Sequence, residues 1–210
     1  MKKTFAVAIT AIALAVPALS SAQFANPLGS LMGSKSSGNA ASADMGAQQD
    51  SLVRTYLAAG KNVLTANVHM TEALGIKAKS INDAASSDAF SAKDIEAQDK
   101  AISADSAAIA ESLKSGATLK DEVAKTKYAQ GLLSLAVGVK KYVDMSKEAQ
   151  GFASGVSTAS PLQMGKLQSG IYIAKSLPGS VTNLTGVLKS AIDFARKNGV
   201  EVPAEATSVI

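Results

Sequence analysis

The residues best equipped for chemistry in this sequence are few. One histidine, His69, stands three positions before Glu72, and residues so spaced share a helix face, giving the outline of half a metal site. Carboxylate-bridged metal bundles need Glu-x-x-His pairs on facing helices. Here the order is reversed and no second histidine completes it. A Ser-His-Asp relay would have to use the same residue, and His69 falls two positions from both Asn67 and Thr71. Those two belong to the inward stripe described below, so His69 is expected on the outer face, in solvent.

Other constellations read as scaffold. Asp121 and Glu122 lie among Lys120, Lys125 and Lys127, a solvated charged turn. Gly131, Gly138, Gly151 and Gly155 have neither the spacing nor the lysine of a phosphate loop. Gly131, Ser134 and Gly138 form instead a small-residue groove that lets a second helix approach closely. The methionines are dispersed, so a haem held by Met and His has little to recommend it. With no cysteine, disulfides, thiolate metal sites, iron–sulfur clusters and covalently attached haem are excluded. No catalytic residue, metal ligand or cofactor site is assigned, and the chain is expected not to be an enzyme.

The elements begin with an address. Lys2 and Lys3 precede an apolar run from Phe5 to Val16, and Pro17 to Ala22 end it with small residues. Residues 1–22 resemble a bacterial Sec signal peptide, cleaved between Ala22 and Gln23. The apolar run is shorter than the ~20 residues a membrane span requires. Removing residues 1–22 takes two lysines and no acid, lowering the formal charge from +4 to +2. No basic cluster interleaved with aromatics remains, so nucleic acid is not an expected partner. Residues 23–49 are rich in Ser, Gly, Ala and Asn and read as a flexible leader. Gly29, Gly33, Gly38 and Gly46 argue against a helix there, while Phe24, Leu28, Leu31 and Met32 make an apolar handle that could engage a partner.

From Asp50 the sequence turns periodic. Val53, Leu57, Gly60, Leu64, Asn67, Thr71, Leu74, Ala78, Ile81 and Ala85 alternate steps of four and three, the spacing of a helix stripe that faces other helices. This predicts one helix from Asp50 to about Ala85, widened by Tyr56, Val63 and Met70, with Asn67 and Thr71 as polar residues turned inward. Ser91 and Asp94 announce a second helix ending at Ser115 and Gly116. Its stripe is thin: Ile95, Gln98 or Asp99, Ile102, Asp105 or Ser106, Ile109 and Leu113. Asp94, Glu96, Asp99, Asp105 and Glu111 are expected to coat its outside.

A third helix is predicted from Leu119 to about Gly155, its uncharged run Tyr128 to Val139 forming the most buried part. Ser160 and Pro161 open a fourth, which Pro178 and Gly179 should kink or break. Arg196, Lys197 and Gly199 close it. The tail 200–210 is expected to be extended. The result is an all-α chain: an up-down antiparallel bundle of about four long helices at 50–199, preceded by the signal peptide and leader.

The expected function is that of an exported, non-enzymatic protein of the bacterial envelope, acting by protein–protein binding or as a structural or accessory factor. Periplasmic residence comes first and extracellular second, with an envelope protein or a second copy of the chain as partner. The alternative is a secreted membrane-active or pore-forming helical protein, motivated by the run Tyr128 to Val139. A metal- or haem-binding bundle ranks below both.

Overall fold

A computed structural model of the protein describes residues 39–77 and 91–210, all within one compact unit spanning Ser37–Ile210. The signal segment 1–22, its cleavage point Ala22 and Gln23, the handle Phe24, Leu28, Leu31 and Met32, and the stripe positions Ala78, Ile81 and Ala85 lie outside the described residues. The described chain is all-helical, without a strand. In order it forms α1 (Asn39–Leu74), α2 (Ala92–Lys114), α3 (Glu122–Asp144), α4 (Ser146–Val156), α5 (Pro161–Lys166), α6 (Gln168–Lys197) and α7 (Ala204–Thr207).

Local chemistry sets the ends. The Asp94 amide donates to the Ser91 side chain at the start of α2, and the Ala124 amide to the Asp121 carboxylate, 2.8 Å away, at the start of α3. At α5 the Ser160 amide donates to Gln163 Oε1 at 2.9 Å, with Pro161 in the first turn. Helices α1, α2 and α6 stop alike: Gly75, Gly116 and Gly199 take positive φ. The next amide then reaches back to a carbonyl in the last turn, as Ile76 does to Thr71, Ala117 to Ser112 and Val200 to Ala195.

Several boundaries differ from the sequence reading. Helix α1 starts at Asn39, so part of the expected leader, including Gly46, is helical. It stops at Leu74 rather than near Ala85, because Gly75 offers a left-handed stop that apolar periodicity does not register. The third predicted helix is two, divided at Met145. Pro178 does not break α6, which passes through it; the interruption falls at Leu167 instead, leaving Leu162 on α5 81% exposed. The tail folds back: α7 packs against α3, and Val200 and Ala206 are buried.

The core is drawn from all the long helices. Leu52, Tyr56, Val63 and Met70 of α1 meet Tyr128, Leu132, Leu135 and Val139 of α3, and Ile173, Leu177, Leu188 and Ile192 of α6. The α1–α3 pairing is the most extensive and uses the small-residue groove. A Cβ on Gly131 would lie 2.8 Å from Met70 Cγ and 3.1 Å from the Ala66 carbonyl; one on Gly138 would lie 2.7 Å from Val63 Cγ2. Only glycine lets the two backbones come this close.

Paired residues give the directions. Gly131 faces Ala66 while Gly138 faces Ala59, so α1 and α3 are antiparallel. Helices α3 and α4 also run against α6: Tyr128 bonds the Ala191 carbonyl at one end, and Phe152 abuts Gly170 at the other. In contrast, Tyr56 meets Asp99 and Asn67 meets Ser106, so α1 and α2 are parallel. Gln49 bonds the Gly170 amide and Tyr56 contacts Ser176, which makes α1 and α6 parallel as well. A strict up-down alternation is therefore not obtained. That expectation rested on a short loop after Ala85. Helix α1 already ends at Leu74, and α2 lies alongside it in the same direction.

Candidate functional site

Helix α2 meets α1 across an unusually polar seam. Its stripe buries Ile95, Ile102 and Ile109, but also Gln98, Asp105 and Ser106. Asn67 of α1 donates to Ser106 Oγ at 3.4 Å, and Thr71 turns its hydroxyl back to the Asn67 carbonyl at 2.7 Å. Both α1 residues are buried, as the stripe required. Gln98 lies over Gly60, and among the described residues neither of its amide atoms has a hydrogen-bond partner.

One turn of seam collects more chemistry. The Tyr56 hydroxyl donates to Asp99 and lies 2.9 Å from each carboxylate oxygen; the Tyr172 hydroxyl of α6 donates to Oδ2, also at 2.9 Å. Ser176 and Ser180 place their hydroxyls 3.3 and 3.4 Å from that of Tyr56. Behind them Tyr142 of α3 meets Tyr56 edge-on, with ring centroids 4.9 Å apart. Asp99 thus joins α2 to α1 and α6 through two phenols. Desolvation pushes its carboxyl above the ordinary value, the bonds from Tyr56 and Tyr172 pull it back in part, and nearby Glu96 pushes it up again. The phenols respond in kind: burial first, then the Asp99 charge, holds Tyr56 above its normal range. Burial and the bond to Asp99 do the same to Tyr172.

Asp99 lies at a cleft of about 280 Å³ between α2 and α6. Ser103, Ser106, Ser180 and Asn183 supply polar walls; Ile102, Ala107, Ala110, Leu184 and Val187 supply apolar ones, together with Tyr142. Of these lining residues only Asp99 is charged, and among the described residues no ion pair engages it. A mixed lining with a few convergent polar groups is how small-ligand sites are built.

The sequence reading placed Asp99 and Asp105 on the outer coat of α2. Asp105 is buried and Asp99 half-buried, because the parallel placement of α2 turns that face toward α1 and α6. The ambiguity between Gln98 and Asp99 on the stripe was the available signal: both point inward, to different neighbours. His69 is corrected too. It is half-buried, its Cβ is 3.2 Å from where a Cβ of Gly131 would stand, and it does not line the cleft. Its neighbour Glu72 pairs instead with Lys127 at 2.7 Å. The described residues hold no group of three or more His, Cys, Asp or Glu arranged for a metal.

The run Tyr128 to Val139 turns Tyr128, Leu132, Leu135, Ala136 and Val139 into the core, while Leu133 is exposed. No helix among the described residues is long and apolar enough to cross a membrane. The described residues thus define an all-helical protein with a cleft of mixed polar and apolar lining between two of its helices. Comparison with protein-family models, curated proteins and solved structures finds no significant match.

Proposed function

We propose that the protein is exported to the bacterial envelope, periplasmic in the first instance, and works there by binding rather than by catalysis. The observation that carries the binding part is the cleft between α2 and α6, which gathers one carboxylate, hydroxyls from both helices and apolar walls. The two hydroxyls bonded to Asp99 belong to tyrosines held protonated by burial and by its charge. Such a constellation positions and recognises; it does not activate a nucleophile. The address rests on the amino-terminal segment read above.

A ligand screen by NMR on the mature chain, from Gln23 onward, tests the binding claim. Small neutral, cationic and anionic compounds are each titrated, with Ala107→Phe as a variant that closes the rim of the cleft. Saturable shifts at Ser103, Ser180 and Asn183 that Ala107→Phe abolishes are expected. The absence of such shifts with every compound, or conversion of a bound compound to product, overturns it.

A further inference from the structure

We propose that the cleft between α2 and α6 selects a small organic cation, a primary ammonium on a short alkyl body, held at the Asp99 carboxylate. The inference deepens the binding reading above and rests on it.

Charge complementarity decides the ligand's head. Among the described residues Asp99 is the only charged one lining the cleft, and no described lysine or arginine pairs with it. Two phenol donors reach its oxygens, but a carboxylate offers about four lone-pair directions, so acceptor capacity remains. An ammonium brings three donors and a full charge. It can engage the carboxylate and neighbouring hydroxyls such as Ser180, and charge-assisted bonds of this kind are the stronger ones. An anionic head would instead meet the Asp99 charge with no cation among the described lining residues to offset it. The body follows from the walls: Ile102, Tyr142 and Leu184 accept methylenes, and a volume of about 280 Å³ limits the ligand to a small molecule.

The groups facing Asp99 are Tyr56 from α1, Tyr172 from α6, Tyr142 from α3 behind them, and Glu96 on its own helix. All three phenols are held above their ordinary range, and Lys100 holds Glu96 below its own. Asp99 is therefore the group whose ionisation gates the cation, and binding strengthens as pH rises through its raised value.

The test is an NMR titration with n-butylammonium, n-butanol and n-butyrate, matched in body and differing in head. Butylammonium is expected to bind at least about tenfold more tightly than butanol, with butyrate weakest. Asp99→Asn is expected to erase the preference for the ammonium over the alcohol. Should that variant fail to fold by circular dichroism, Ala107→Phe, which leaves Asp99 in place, must abolish binding, and the wild-type affinity must still rise with pH. Butanol binding as well as butylammonium overturns the cation preference and leaves the binding reading standing. Failure of all three probes to bind overturns the inference, and the broader screen above then decides the reading beneath it.

Discussion

Gln98 and Asp99 are neighbours on α2 with opposite fates. Gln98 is 1% exposed, and its amide is pressed over Gly60 without a partner among the described residues; a buried polar group left unpaired costs about 1–3 kcal/mol. Gln98→Met keeps the length of the side chain and removes that cost. The expected outcome is a rise in the urea midpoint at unchanged m-value, equivalent to about 1 kcal/mol or more. Asp99 has two partners, yet burial still raises its carboxyl. The folded state therefore retains a proton there that the unfolded chain gives up from about 3.8 upward. A raised carboxyl contributes stability that is complete at low pH and is lost as pH climbs through the folded value. Relative to Asp99→Asn, the wild type should lose stability as pH climbs from about 3.8 through the raised folded value and level off above it, as urea unfolding of both proteins at stepped pH will show.

At the scale of elements, the same residue type should respond with opposite sign according to what its helix touches. Gly138 on α3 sits 3.1 Å, measured from a built Cβ, from the Ala59 carbonyl, which is backbone and cannot swing away. Gly186 on α6 has no described residue within 4 Å of such a Cβ. Alanine at either gains helix propensity of about 1 kcal/mol, but at 138 the pair α1–α3 must also be pushed apart, at about 1–3 kcal/mol. Gly186→Ala is expected to raise the thermal midpoint and Gly138→Ala to lower it, in the same calorimetric scan. Pro178 is the other lesson of this scale. A proline inside a helix costs about 3 kcal/mol, and α6 carries it because Leu177 before it and Leu184, Leu188 and Ile192 after it are buried in one core. Packing along the whole helix outweighs the missing bond.

For the whole molecule, the tyrosines report on integrity. The sequence has four, and Tyr56, Tyr128, Tyr142 and Tyr172 are all held above the ordinary value of 10.0, with burial the leading cause in each. Only the unfolded chain ionises them near that value, so the stability they contribute is intact below it and falls as pH rises beyond. Ultraviolet titration should show no independent tyrosine step. All four are expected to ionise together with loss of helical circular dichroism; a normal titration before unfolding would place at least one phenol in solvent.

The sequence by itself determined that the chain is helical, where α2 begins, how α6 ends, and that Asn67, Thr71, Gly131 and Gly138 turn inward, because caps, stripes and small residues act within a few turns of backbone. It also held the stop at Gly75, a single-residue signal that a smooth apolar period hides. Only the tertiary structure decided that α2 lies parallel to α1, that Pro178 is carried within one helix, that the tail docks, and that Asp99 meets Tyr56 and Tyr172 at a cleft. Those outcomes depend on which helices become neighbours and in what direction. Residues 56, 99 and 172 are far apart in the chain, and nothing in their local spacing records that α2 packs parallel to α1 and so brings them together.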